Sequence, residues 1–446
     1  MSESPPKLRR VLSLWDLILY GIVLVQPIAP IPLFGLAQQL SNGHAAATIL
    51  LAMTAMVLTA VSYGRMAALY PSAGSAYTYV SLSLNRQWGF LTGWAMFLDY
   101  LLVPLICTIY GAVTLNRLMP AIPYVAWVIL FSSGMTAINI GGIRFTTRAS
   151  MVLCIVMTAV TLAFLYLATT HLLGIGGIAA LVSTRPFYNP ETFSWPTILT
   201  ATSVAALTYG GFDGVTTLAE EVRNPRRNVM LAAVIVVLFT GVFGGLQVYL
   251  AQLVRPDPTY ANVETAFLDV SRMVAGDWLF HAMALILVVG SLGSGLTAQT
   301  GVARLLYGMA RGGSLPGFFA HLDARTASPS WNILLVGVLS CAGALILNYE
   351  RSAELINFGA FLAFMGVNAA VIRHSFRTGF TESGFRRISG VALPLFGFLF
   401  CLSIWLNLSV PAKIAGGVWF AAGYIFHLIQ TRRRGGAEPT FDFANT

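Results

Sequence analysis

Long apolar stretches alternate with short polar connections along the chain, and that alternation predicts helices of membrane-spanning length. A span needs about 20 apolar residues. Twelve stretches qualify, at residues 15–40, 44–69, 86–115, 122–141, 147–171, 195–221, 229–254, 276–310, 330–348, 352–375, 390–410 and 411–430. Two of them are interrupted. The sixth starts as an apolar helix and then meets Tyr209-Gly210-Gly211-Phe212-Asp213-Gly214 at mid-depth. Each of its three glycines costs a helix about 1 kcal/mol relative to alanine. In hydrocarbon the freed backbone groups would cost several kcal/mol apiece, so such a break belongs where protein or a wet cavity satisfies them. The first stretch, LSLWDLILYGIVLVQPIAPIPLFGLAQQL, meets Pro27, Pro30 and Pro32 within six residues. A proline inside a helix costs about 3 kcal/mol and removes a donor.

Each break has two readings. Either the sixth stretch holds a glycine kink whose Asp213 caps the following half-helix, or it is a broken span whose gap binds a solute. The same residues serve both, because a capping aspartate can also face a cavity. A carboxylate at that depth costs about 2.5–3.5 kcal/mol on insertion scales and is seldom idle. The first stretch could likewise hold an ordinary proline kink. Yet the two breaks lie five spans apart, and each follows a tryptophan, Trp15 or Trp195. Paired interruptions of this kind point to a transporter site. We therefore expect spans 1–5 and 6–10 to be inverted repeats, with spans 11 and 12 as additions.

Composition agrees with a membrane protein: 57% of residues are hydrophobic and 10% charged, with a mean hydropathy of +0.74. A net charge of +9 could suggest nucleic acid, but its placement argues otherwise. Twenty of the 26 Lys and Arg residues fall on one set of alternate connections. They are Lys7, Arg9, Arg10, Arg65, Arg86, Arg144, Arg148, Arg223, Arg226, Arg227, Arg304, Arg311, Arg325, Arg373, Arg377, Arg386, Arg387, Arg432, Arg433 and Arg434. By the positive-inside rule that side, with both termini, is cytoplasmic. Residues 1–430 read as one transmembrane unit and 431–446 as a cytoplasmic tail. Met1–Arg10 is polar and basic, without the pattern of a cleaved leader. The two longest outer connections carry amphipathic pieces, GIGGIAALV and ANVETAFLDVSRMV, that we expect along the membrane interface.

Few other residues carry chemistry. Asp99 lies midway in the third span, as either a buried structural carboxylate bonded to a hydroxyl or a cavity residue. Glu220 and Glu221 close the sixth span beside Arg223, Arg226 and Arg227, a setting for a salt-bridged gate or a simple helix end. Asp16 reads as an interfacial helix-start residue. Cys107, Cys154, Cys341 and Cys401 stand singly in apolar runs and read as small hydrophobes. The six histidines make no HxxxH or HExxH pattern, so no metal is expected. Nothing resembles a Ser/His/Asp set, a phosphate loop or a GxGxxG fingerprint, and neither an enzyme nor a cofactor is indicated.

The motifs YPSAGSAYTY (Tyr70–Tyr79), GGFDGVTTLAEEVRNPRRN (Gly210–Asn228) and ARLLYGMARGGSLPGFF (Ala303–Phe319) resemble signatures of the amino acid–polyamine–organocation permease superfamily. The resemblance runs from about Leu12 to about Ile429. SNGHAAATILLA, LDYLLVP, GFDGVTTLAEE, AQTGVARLLYGMAR and LINFGAFLAFMGVN make the chain most similar to the bacterial putrescine importers. It implies a ten-helix inverted-repeat core with two extra helices, alternating access and secondary active transport in a bacterial inner membrane, proton-coupled in many relatives. Two departures bear on the solute. Amino-acid permeases of this kind carry Gly-Ser/Thr-Gly in the first break, where backbone N–H groups cradle the substrate carboxylate. Here Pro27-Ile28-Ala29 and Pro30 stand there, and the prolines remove donors. Many proton-coupled relatives also place a lysine in span 5, and Met157 occupies the matching position.

The expectation is a small cationic or zwitterionic solute, putrescine or a related amine, with a proton as possible partner. Gln26, Pro27, Ile28, Ala29 and Pro30 of the first break, Tyr209, Gly210, Gly211, Phe212 and Asp213 of the sixth, and Asp99 are the candidate binding residues. Carbonyls around Val25–Ile28 and Tyr209–Gly211 would accept from an ammonium, Asp213 and Asp99 would supply charge, and Tyr209 and Phe212 would cover methylenes. Glu220, Glu221, Ser291 and Ser294 are the coupling or gating candidates. An amino-acid permease, or a non-transporting membrane sensor or scaffold, are the alternatives.

Overall fold

The computed structural model describes residues 10–71, 74–141, 147–311, 315–323, 328–377 and 384–433. Lys7, Arg9, Arg144, Arg325, Arg434 and the rest of the tail lie outside them, as do Ser72 and Ala73 of one motif and Gly312–Ser314 of another. The side chains of Arg148, Arg386, Arg387 and Arg433 also lie outside what is described.

Every regular element among the described residues is a helix. In chain order they begin with α1 (Leu14–Val25), α2 (Phe34–Leu40), α3 (Ala45–Leu69), α4 (Ser75–Ser83) and α5 (Arg86–Leu118). Next come α6 (Tyr124–Ile140), α7 (Thr147–Gly176), α8 (Ile178–Leu181), α9 (Trp195–Ala205) and α10 (Gly214–Thr217). The last are α11 (Pro225–Val254), α12 (Ala266–Ala275), α13 (Asp277–Arg311), α14 (Ser330–Ile346), α15 (Tyr349–Arg377), α16 (Gly384–Leu406) and α17 (Val410–Arg433). Among the described residues, α3, α5, α7, α11, α13, α15 and α17 are long and apolar enough to cross a membrane, and α1, α6, α14 and α16 contain shorter apolar helices.

Local chemistry explains the starts. Ser13 and Asp16 form a capping box at α1: the Asp16 amide donates to Ser13 Oγ, and the Ser13 amide donates to Asp16 Oδ2 at 2.8 Å. Asp16 is thus the helix-start residue its position suggested. Asn85 caps α5 by accepting from the Trp88 amide at 2.8 Å. Pro225 opens α11, where its missing N–H costs nothing.

Both expected interruptions are present. α1 stops at Val25 and residues 27–33 run as turns before α2. α9 stops at Ala205, a 3₁₀ turn covers Ala206–Tyr209, and α10 starts only at Gly214. The Leu12 amide donates to Glu221 O and the Arg223 amide to Leu12 O, at 3.0 and 2.8 Å. The start of the first broken stretch and the end of the sixth therefore meet at one face, and the two run in opposite directions. Glu221 closes its span through this backbone pairing; among the described residues it forms no ion pair with Arg223, Arg226 or Arg227.

The helices pack closely where side chains are absent. A Cβ at Gly359 of α15 would lie 2.3 Å from the Ala95 carbonyl of α5, and one at Gly64 of α3 would strike Met230 of α11 at 2.3 Å. Polar and aromatic contacts tie the opposite face. Arg117 at the end of α5 pairs with Asp269 of α12 at 2.6 Å, and Phe34 meets Phe267 edge to face at 5.5 Å. His44 Nδ1–H donates to Ser41 O at 2.7 Å while its Nε2 accepts from the Asn189 amide at 3.1 Å. The two amphipathic pieces part company here. Ile175, Ile178 and Val182 around α8 are more than 70% exposed, as an interfacial segment would be. α12 instead buries Ala266, Phe267, Leu268, Val270 and Ser271 in the protein, because its strongly apolar face finds helices to pack on.

Candidate functional site

The two breaks lie against each other. Gly211, at φ +99°, would place a Cβ 3.6 Å from the Leu24 backbone, and one at Gly214 would come within 2.6 Å of Leu24 Cδ1. Gly21 of α1 is pressed against Val215 and Val236 in the same way. Position 211 requires a left-handed backbone rather than a missing side chain, since 3.6 Å is ordinary contact. We expect Gly211→Ala to cost about 1–2 kcal/mol of stability from that strain. Denaturant unfolding of the purified protein checks this; no change would mean that the break relaxes freely.

In the first break the backbone is largely self-satisfied. Pro27 and Pro30 have no N–H, Ala29 donates to Gln26 O at 3.2 Å, and Ile31 donates to Ile28 O at 3.0 Å. That leaves the Ile28 amide as the donor without an acceptor among the described residues. On the acceptor side, Pro27 O receives Gln247 Nε2 of α11 at 3.0 Å, and Tyr209 O and Gly211 O receive the Phe212 and Gly214 amides. The Val25 and Gly210 carbonyls receive no donor among the described residues. Gly210 is exposed, Gly211 and Ala29 are half-buried, and Pro27, Ile28 and Pro30 are buried. Carbonyls at a helix C-terminus carry partial negative charge, so the breaks offer a cation more than they offer an anion.

Gln26 turns the first break toward α13. Its φ of +65° lies in the left-handed region, and its Nε2 donates to Ser294 Oγ at 2.8 Å. Gly290 sits below this contact, where a Cβ would meet Met157 Cε at 2.6 Å and Ile28 Cδ1 at 2.8 Å. The structure thus joins Gln26, Ile28, Met157 and Ser294, from three separate stretches. Ser291 is half-buried on α13, three residues before Ser294.

Asp213 lies in the sixth break and Asp99 on α5. Both are half-buried, and they are near enough for their charges to interact. Neither is ion-paired among the described residues. The Asp213 carboxylate leans on its own amide and that of Gly214, without a side-chain cap bond to α10. Tyr100, next to Asp99, is 38% exposed while lying close to Asp99, Asp213 and Tyr20 of α1. Groups from the first, third and sixth spans therefore come together here. Glu220 is half-buried near the end of the sixth.

Tyr209 and Phe212 are held by protein. Tyr209 is 1% exposed and its hydroxyl donates to Ile49 O at 2.8 Å. Phe212 is fully buried against Tyr63 and Phe364, at ring distances of 5.7 and 5.4 Å. Sequence reasoning missed Tyr63, a fully buried residue of α3 whose hydroxyl has no partner among the described residues. Its hydroxyl lies within reach of both carboxylate charges. Gln247, and Asn357 with its 2.5 Å bond to Ser203 O, were missed as well. The available signal was an uncharged polar side chain alone in an apolar stretch, where it needs a partner.

Among the described residues no three His, Cys, Asp or Glu side chains gather as metal ligands. Paired broken helices, half-helix ends and intramembrane carboxylates suit a solute passage. A family model described as amino acid permease matches residues 12–429. The chain is 31% identical to the low-affinity putrescine importer PlaP of Escherichia coli (strain K12), over 99% of this chain and 98% of the relative. It is 27% identical to the vacuolar cationic amino acid transporter 4 of Arabidopsis thaliana, over 83% of this chain and 64% of that one. Among solved structures, MhsT in complex with L-phenylalanine matches with a TM-score of 0.61 at 17% identity, over 88% of this chain and 98% of that chain, a likeness of fold. With its relatives transporters rather than enzymes, this multi-pass membrane protein belongs to the amino acid permease family.

Proposed function

We propose that the protein imports putrescine or a closely related small amine across the bacterial inner membrane by alternating access, with proton coupling and both termini in the cytoplasm. The architecture would be twelve spans, with spans 1–5 and 6–10 as inverted repeats. One observation carries the substrate reading: Asp99 and Asp213 are near enough for their charges to interact, and neither has a cationic partner among the described residues. Two unneutralised carboxylates in a low-dielectric setting repel each other, and a bound cation relieves both. One ammonium would sit by the Val25 and Gly210 carbonyls and Asp213, and a second, in a diamine, would meet Asp99. The contacts that tie the face around α12 fit a state closed to the outside.

The first break supplies the test. Rebuilding it as Pro27→Gly, Ile28→Ser, Ala29→Gly and Pro30→Ile would restore amides at the start of a half-helix. A helix N-terminus favours an anion by about 0.3–1 kcal/mol or more. We expect this variant to lose putrescine affinity and to gain binding of an amino acid with both ammonium and carboxylate. If the unaltered protein already binds amino acids tightly, a cationic amino-acid permease becomes the better reading, as the 27% identical relative would suggest.

A further inference from the structure

Gln26 stands where a glycine would be at ease. It ends α1 with φ +65° and ψ 136°, a positive φ that glycine adopts freely and other residues rarely do. Its amide donates to Ile22 O at 2.9 Å, a bond that a glycine would make equally well. What a glycine would lack is the side chain. Gln26 Nε2 donates to Ser294 Oγ at 2.8 Å and, more loosely, to Gly290 O at 3.4 Å. The Gly290 carbonyl fixes which end of the amide faces α13, because a carbonyl oxygen only accepts and the amide nitrogen only donates. A strained backbone of this kind persists where its surroundings hold it, and such positions gather at switch regions.

These bonds cross a seam. On the α11 side the first stretch is fastened firmly. Gln247 Nε2 donates to Pro27 O at 3.0 Å, a Cβ at Gly21 would strike Val236 at 2.5 Å, and one at Gly244 would lie 3.0 Å from Pro30 Cγ. On the α13 side Ile28 and Met157 crowd Gly290 with apolar atoms only. Among the described residues no hydrogen bond other than those of Gln26 joins residues 14–33 to α13. The members of this junction, Gln26, Ile28, Met157, Gly290 and Ser294, carry no titratable group. A tie made of one neutral amide breaks without stranding a buried charge, which would be far costlier to leave unmet. Letting go of α13 would also free Gln26 to leave its positive φ.

We propose that Gln26 is a tether rather than a ligand for the solute: its side-chain amide clamps the strained first break to α13 and releases it when the passage changes the side to which it opens. This rests on the alternating-access reading of the two breaks, not on which solute is carried. The test compares Gln26→Gly, which removes the tie and the strain together, with Ser294→Ala, which removes only the stronger acceptor and serves if the first variant does not fold. Spin labels at Leu19 of α1 and Arg304 of α13, both exposed, report the distance across the seam in a background free of native cysteines. We expect Gln26→Gly to add a second distance that the unaltered protein lacks, and Ser294→Ala to add less of it. Putrescine counterflow in proteoliposomes should slow about tenfold in Gln26→Gly, while the Kd for putrescine moves no more than about twofold. The double variant should be no slower than Gln26→Gly, as expected of two groups that share one bond. An unchanged distance distribution would overturn the tether. So would a Kd weakened by Gln26→Gly but untouched by Ser294→Ala, which would make Gln26 a ligand. If the unaltered protein binds no putrescine, the amine reading fails, and the label distances still decide the tether.

Discussion

Asp213→Asn is expected to lower putrescine uptake by about a hundredfold while the protein still inserts and folds. Removing one charge from a desolvated pair costs about 2–5 kcal/mol, and 2.7 kcal/mol corresponds to a factor of a hundred. The side chain stands at the entry to α10 without capping it by a side-chain bond, and without an ion pair among the described residues. Asparagine keeps the shape and a polar head, so the fold has little reason to suffer. The loss should therefore fall on a cationic solute. Transport at unchanged affinity would return Asp213 to a purely local role at the helix start.

The second large effect concerns Asp99. Asp99→Asn should weaken diamine binding by about tenfold, or 1.4 kcal/mol, and leave a monoamine of similar length nearly unaffected. A second carboxylate helps only when there is a second ammonium to meet it. Tyr100 and Tyr63 stand close by, which gives the far end of a diamine both charge and aromatic surface. Competition by putrescine and by butylamine against labelled putrescine separates the cases. Equal losses for both ligands would make Asp99 a structural residue.

Much of this was legible in the chain because glycine and proline act locally. The prolines after Gln26 and the glycines around Phe212 break helices whatever surrounds them, so both interruptions could be read in one dimension. Asp99 and Asp213 stood out for a similar reason, as charges rarely lie in apolar stretches. What could not be read was which side chains those breaks would touch. The Gln26–Ser294 bond spans 268 positions, and the Gln247 bond to Pro27 spans 220; no local pattern announces either. Tyr63 reads as one more aromatic residue until packing buries its hydroxyl beside two carboxylates. Tyr209 and Phe212 lie in the break as expected, yet packing turns them toward α3 and α15. Direction is set by neighbours that only the fold supplies. The amphipathic pattern of α12 was clear, but a period cannot say whether its apolar face meets lipid or protein.

The central claim is that the passage is built for an amine without a carboxylate. Calorimetric titration of the unaltered protein with putrescine, ornithine and lysine tests it most directly. With Pro27 and Pro30 lacking amides and Ala29 and Ile31 already bonded, the first break has little to offer a carboxylate. The account predicts that putrescine binds at least about tenfold more tightly than either amino acid, a difference of 1.4 kcal/mol or more. Ornithine or lysine binding as tightly as putrescine would contradict it.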